Sequence, residues 1–377
     1  MTAISSFVNN PPQRWRRKLE RNSPFWTNWM RRRGSALSIA ALLVAGSSSA
    51  PAFPDSKHKD IACRDLSISV TLPDVGTQTI QGTLCTPMNE ARTLQILLGG
   101  VTYDRHYWAL PSAPGKPSYM EESSKNGYAT LALDRIGTGS SGHPPAEKVG
   151  LKANVDALHQ VVNAFRVGSI GGRAYSRVIT VGHSFGASVA VAEAYRENDV
   201  DGVIASSFLH ALGPRIGEFG KSLYPAIQDP ITSHSNPPKN YLTTQPGTRS
   251  DLFYSKADAA PETQRADEST KTTETSAENH DIAVVQSSPK ITRGVNVPVL
   301  LAVGERDELL CGGKLKCDNS THVQDFEKEF YGNAAKLTAF VLPRAGHAIN
   351  LHRNSELWFR AASDWVTRNV DQKHRVD

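Results

Sequence analysis

Gly182-His183-Ser184-Phe185-Gly186 closes a short apolar run, Val178-Ile179-Thr180-Val181, and opens a helix-like stretch over residues 187–195. A G-x-S-x-G between a strand and a helix is a nucleophile elbow, a turn so sharp that the serine hydroxyl stands exposed at the end of a sheet. A side chain at 182 or 186 would collide with the turn or hold strand and helix apart, which is the work of the two glycines. The pentapeptide alone matches many serine-rich loops. Its position between a strand and a helix is what makes it informative.

Outward from the elbow, strand-like and helix-like segments alternate. Residues 66–72 and 79–84 form two alternating runs that predict an antiparallel hairpin. Short apolar runs follow at 94–98, 129–133, 177–181, 202–205, 297–303 and 337–342, with helical patterns at 119–126, 151–167, 187–195, 323–331 and 356–370. Runs of this kind predict βαβ units, a mostly parallel sheet and helices on both of its faces. The pattern breaks over residues 210–293, which are rich in Pro, Ser and Thr. So long a stretch inside an α/β domain reads as an inserted lid between two parts of one core, residues 53–209 and 294–377. Leu252-Phe253-Tyr254 offers apolar anchors for it. Residues 260–281 read either as a poorly hydrophobic helix or as a solvated, mobile surface segment.

Composition narrows the partners. The apolar fraction of 39% and the charged fraction of 21% suit a globular chain with a sizeable core. The formal charge of +5 is concentrated in residues 1–52, where eight basic side chains face a single acid. That leaves about −2 for the rest, so the body has no global basic field and nucleic-acid binding is not expected. Met30-Arg31-Arg32-Arg33, a ten-residue apolar segment at 36–45 and small residues ending in Ala50-Pro51-Ala52 have the layout of a secretory signal. The apolar core is too short for a spanning helix. A signal peptide over 1–52, cleaved before Phe53 or a near neighbour, is the expectation, with a start at Met30 as a further hypothesis; an uncleaved membrane anchor is the alternative. Four cysteines then remain, Cys63, Cys85, Cys311 and Cys317, and an even count in a secreted chain favours two disulfides. Local pairing is the economical choice, since Cys63 and Cys85 flank the hairpin and Cys311 and Cys317 would close a small loop. Zinc held by Cys311, Cys317 and His322 is the alternative, on a spacing that fits no common ligand pattern. Asn319-Ser320-Thr321 in the same loop is a glycosylation sequon in a eukaryotic host.

A serine hydroxyl needs a base, a group that orients the base, and an oxyanion hole. The run at 297–303 is followed by Gly304-Glu305-Arg306-Asp307, and the run at 337–342 by Pro343-Arg344-Ala345-Gly346-His347. Together with the hairpin, Gly99-Gly100, Asp134-Arg135-Ile136-Gly137-Thr138-Gly139-Ser140 and the elbow, these strongly resemble the α/β-hydrolase superfamily over residues 64–370. The resemblance implies the α/β-hydrolase fold and a triad in the chain order Ser, acid, His. Ser184 would be the nucleophile, His347 the general base and then acid, and Asp307 the orienting carboxylate. His352 is the best substitute for His347; Glu305 and Glu308 are rivals of Asp307. His183, beside the nucleophile, would point elsewhere. The oxyanion hole would use the backbone N–H groups of Phe185 and Val101, with Thr102 as a second candidate. This chain has Gly99-Gly100 where the family usually has His-Gly, which leaves the hydrogen bonding of that loop open.

The loop after the third strand is unusually aromatic. Thr102, Tyr103, Tyr107 and Trp108, with Phe208, Leu209, Phe253 and Tyr254, either line a substrate pocket or pack the loop against the sheet. Asp134-x-x-Gly-x-Gly-x-Ser lacks the P-loop lysine and reads as a structural turn. The expectation is a secreted, cofactor-independent serine hydrolase, without a metal, acting on a small-molecule carboxylic ester, thioester or lactone. Acyltransferases, peptidases and cofactor-free haloperoxidases use the same triad, and a non-catalytic binding protein would lack one of its members. Substrate identity and oligomeric state are not legible.

Overall fold

The computed structural model describes residues 61–372. The leader at 1–52 and its cleavage point lie outside them. Strands β1 (Ile61–Leu72) and β2 (Gly76–Pro87) form the antiparallel hairpin, longer at the open end than the alternation suggested. Cys63 lies directly opposite Cys85 in its register, and the two are joined. β2 then pairs antiparallel with β4 (Ala129–Leu133), where Gly82 gives room for Leu133. The remaining strands run parallel: β3 (Thr93–Leu98), β4, β5 (Arg177–His183), β6 (Gly202–Ser206), β10 (Val299–Gly304) and β11 (Thr338–Leu342). The order across the eight-stranded sheet is β1-β2-β4-β3-β5-β6-β10-β11. β3, β4, β6 and β10 are buried along their whole length, as a sheet covered on both faces requires. This is the α/β-hydrolase fold with its antiparallel N-terminal hairpin.

The covering helices are α1 (Tyr119–Lys125), α2 (Leu151–Arg166), α3 (Phe185–Glu197), α4 (Pro261–Ser269), α5 (Ser276–Gln286), α6 (Ser320–Glu327) and α7 (Glu356–Val366). Ser118 and Glu121 form a capping box that starts α1. α2 buries Val155, Leu158, Val161, Val162 and Phe165, the apolar positions at helical spacing. α7 buries Trp358, Phe359, Ala362, Trp365 and Val366.

Residues 210–293 carry a small antiparallel sheet, β7 (Leu223–Pro225), β8 (Tyr241–Thr244) and β9 (Glu274–Thr275). The single helix expected over 260–281 is corrected to two, α4 and α5, broken by β9. Thr275 and Glu278 make the capping box that restarts the chain as α5. The solvated alternative is corrected too. Asp267, Lys271, Glu274 and Glu278 are all buried, and Lys271 reaches Asp229 at 2.7 Å and the Thr244 carbonyl at 3.0 Å. Cys311 and Cys317 are joined to each other, which removes the zinc alternative with His322. Asn319 caps α6, its side chain accepting from the His322 N–H.

Candidate active site

The C-terminal ends of β3, β5, β6, β10 and β11 meet at one edge of the sheet, where open α/β sheets bind ligands. Ser184 stands between β5 and α3 at φ 54° and ψ −121°, a backbone conformation that costs a non-glycine residue energy and is seen where function requires it. Its N–H donates to the Ser206 carbonyl at 2.8 Å, which ties the elbow to β6. A Cβ at Gly182 would come within 2.3 Å of the Gly186 carbonyl oxygen, and one at Gly186 within 2.3 Å of the Leu98 carbonyl oxygen. Both glycines are therefore fixed by close backbone approach.

Asp307 follows β10 and is fully buried. One carboxylate oxygen accepts from the Leu309 N–H at 3.2 Å, and the other lies 2.9 Å from His347 Nδ1. With Nδ1–H donating to Asp307, the His347 Nε2 carries the lone pair. The histidine itself is anchored through its carbonyl, which accepts from Ser207 Oγ at 2.7 Å. Ser184, His347, Val101 and Phe185 all line one cavity of ≈ 50 Å³.

The alternatives have other work. His352 is buried; its Nε2 accepts from the N–H groups of Gly346 (2.9 Å) and Ser255 (3.1 Å), while Nδ1 faces the Ala348 carbonyl. Burial holds it down at about 4, a neutral ring inside a structural turn. His183 is buried under Tyr107, ring centroids 4.3 Å apart, and burial with the nearby His347 keeps its pKa well below the usual imidazole range. Glu308 is exposed and pairs with Arg215, and Glu305 accepts from the Arg344 N–H.

Of the expected pocket residues, Tyr103, Phe208 and Phe253 line the cavity. Thr102, Tyr107, Trp108, Leu209 and Tyr254 do not, and this part of the expectation is corrected. Trp108 packs edge-on against Tyr119 at 5.1 Å, and Tyr254 donates to Asp267 at 2.9 Å. Tyr107 and Trp108 sit on a single helical turn, His106–Ala109, that folds down onto the core. Missing from the expectation were Ile216, Phe219 and Ile282 from residues 210–293, and Leu309 and Leu310 just after Asp307.

Two buried arginines were also missed. Arg135 donates from Nε to the Gly99 carbonyl (2.8 Å) and from Nη2 to the Gly100 carbonyl (3.0 Å). Its Nη1 pairs with Glu278 and reaches Asn154 at 3.1 Å. Arg249 donates to the Thr102 carbonyl at 3.2 Å and to Thr102 Oγ1 at 2.9 Å. It also forks onto Asp267 at 2.7 and 3.2 Å and stacks 3.9 Å over the Tyr103 ring. The side-chain hydrogen bonds to the carbonyls of the loop at 99–102 thus come from guanidinium groups.

The fold and this edge constellation define an α/β hydrolase. The chain belongs to the alpha/beta hydrolase family, whose model matches residues 96–360. Among solved structures it is similar to a malate-bound thermophilic esterase from Thermogutta terrifontis, at 17% identity and TM-score 0.54, covering 80% of this chain and 98% of that one. It is also similar to a soluble variant of monoglyceride lipase from Saccharomyces cerevisiae in complex with a substrate analogue, at 16% identity and TM-score 0.59, covering 81% and 95%. A third is the monoacylglycerol lipase of Paleococcus ferrophilus, at 16% identity and TM-score 0.50, covering 73% and 94%. Comparison with curated protein sequences gives no match.

Proposed function

We propose that the protein is a secreted serine hydrolase that cleaves a carboxylic ester, thioester or lactone through an acyl-enzyme on Ser184. The observation that carries this reading is the sharing of one cavity by the strained Ser184 and by His347, with Asp307 hydrogen-bonded behind the imidazole. Ser184 Oγ attacks the carbonyl carbon as His347 Nε2 takes its proton. The Phe185 and Val101 N–H groups hold the oxyanion. The alcohol or thiol leaves with the proton from His347, and water activated by the same nitrogen then releases the acid. Residues 210–293 act as the lid, contributing Ile216, Phe219, Phe253 and Ile282 to the cavity wall. The names esterase and monoacylglycerol lipase among similar structures support ester cleavage. The disulfides support an oxidising, extracytosolic location, and no described helix is long and apolar enough to cross a membrane.

Ser184→Ala lowers turnover of p-nitrophenyl butyrate by at least about a thousandfold and abolishes labelling by a fluorophosphonate probe. Undiminished turnover in that variant refutes the mechanism. The cavity is apolar but small, so short acyl chains such as acetyl and butyryl are cleaved faster than decanoyl and longer ones. A rising profile across that series refutes the acyl-pocket assignment while leaving the triad intact.

A further inference from the structure

On the face where α2 packs against α3, well away from the proposed nucleophile, five carboxylates gather: Asp156, Glu193, Glu197, Asp199 and Asp201. Three permanent cations answer them. Lys152 and Arg196 pair with Asp156 at 2.5 and 2.7 Å, Arg196 also pairs with Glu197, and Arg166 pairs with Asp201 at 2.6 Å. Two negative charges remain, and they fall on Glu193 and Asp199. Glu193 is fully buried, yet neither of its carboxylate oxygens meets an N–H or hydroxyl donor. Asp199 Oδ1 is buried too and meets no N–H or hydroxyl donor; its neighbour is the Glu193 carboxyl. A buried carboxylate with no donor is costly unless a counter-charge or a proton meets it.

His159 projects from α2 toward this pair. Its Nδ1 lies 2.9 Å from Asp199 Oδ2 and 4.0 Å from Glu193 Oε1. One donor atom from each of His159, Glu193 and Asp199 lies within 4.8 Å of the other two. We propose that His159, Glu193 and Asp199 form a divalent-cation site, occupied by zinc, that staples α2 to the C-terminal end of α3. One imidazole nitrogen and two carboxylates are a donor set that suits zinc. Donors about 2.0–2.2 Å from zinc lie roughly 3–3.5 Å apart, so a contraction of about 1 Å completes the site. His159 Nε2 lies 3.7 Å from Glu197 Oε2, a carboxylate placed to accept from the outer N–H of a ligating imidazole. The carbonyl end of α3 beside the site favours a cation as well. No spacing rule points to the trio, because its members come from two helices and a loop. Glu193 is nine residues beyond Ser184, roughly 13 Å along the helix, so the ion is structural and takes no part in ester cleavage.

Tag-free protein stripped with EDTA and titrated with zinc chloride in a calorimeter takes up one equivalent with micromolar or tighter affinity. Saturating zinc raises the melting temperature by several degrees. His159→Ala and Glu193→Gln each weaken uptake at least tenfold and abolish the thermal shift, while p-nitrophenyl ester turnover is unchanged. His159 is partly exposed, so its alanine variant remains a folded test should the glutamine variant fail to fold. Absence of saturable uptake overturns the proposal and leaves Glu193 a buried, protonated acid. Uptake that is the same in wild type and His159→Ala overturns it as well, since the zinc is then bound elsewhere.

Discussion

Arg249→Met removes one half of a fully buried ion pair. Arg249 and Asp267 are each about 1% exposed at the side chain. Without the guanidinium, Asp267 keeps only the Tyr254 hydroxyl at 2.9 Å and the Tyr103 hydroxyl at 3.5 Å. Breaking such a pair by deleting one partner costs about 3–5 kcal/mol. An unfolding entropy of about 2.1 cal/mol/K per residue, over roughly 310 ordered residues, converts this to a drop in melting temperature of about 5–8 °C. The second effect is on turnover. Arg249 holds the carbonyl and hydroxyl of Thr102, which sits at φ 60° next to the proposed oxyanion donor Val101. Arg135 and the Thr272 N–H still hold the loop, so the loss is partial: kcat falls about 10- to 100-fold, less than deletion of a donor outright, with KM little changed. Two further variants separate charge from geometry. Arg249→Met with Asp267→Asn recovers most of the stability and none of the kcat. Arg249→Lys neutralises Asp267 but cannot fork to Thr102 as well, so it recovers stability more than turnover. Calorimetry and p-nitrophenyl butyrate kinetics on the four proteins give both quantities. A melting temperature for Arg249→Met within about 1 °C of wild type, or an unchanged kcat, refutes the argument.

The disulfides and a buried histidine give further expectations. Cys63–Cys85 spans 22 residues and Cys311–Cys317 spans 6, so chain entropy predicts losses of about 3 and about 2 kcal/mol when each pair is replaced by alanines; urea melts that put the larger loss on the shorter loop contradict it. His352 is held down at about 4 against an ordinary 6.5, so below 6.5 the unfolded chain takes up a proton that the folded chain refuses. The stability it contributes is complete above pH 6.5 and is lost as pH falls toward 4, on the order of 3 kcal/mol in all. His352→Gln, whose side-chain oxygen can accept from the Gly346 N–H, flattens this part of the acid-stability curve; an unchanged slope between pH 6.5 and 4 rejects the assignment.

The parallel strands were legible because each is a short run buried on both faces, so its apolar residues stand together without polar interruption. β3, β6 and β10 lie within two residues of the runs read for them. Residues 210–293 were not legible, for the opposite reason. Lys271, Asp267, Glu274 and Arg249 are buried through polar partners or beside them, and a segment of Thr, Lys, Asp and Glu reads the same whether its charges face water or one another. The pocket fell between these cases. Aromatic residues at 103, 107 and 108 belong equally to a cavity wall and to a core, and only the downward turn of His106–Ala109 decides that Tyr103 faces the cavity while Trp108 packs inward.

The loop after β3 shows how one departure in sequence carries others with it. Gly100 approaches Ser184 so closely that a Cβ there would lie 2.9 Å from the serine Cβ. The neighbouring Gly99 is equally bare, so neither side chain can pin the loop from within. Glycines also leave the unfolded loop more conformations to lose, and a backbone donor is useful only if it is held where the oxyanion forms. The carbonyls of residues 99, 100 and 102 are instead gripped from both sides by Arg135 and Arg249. Each arginine in turn needs a buried acid, and both acids, Glu278 and Asp267, come from residues 210–293. Residues 210–293 therefore do more than contribute to the cavity wall, because their acids fix the charges that hold the loop carrying Val101.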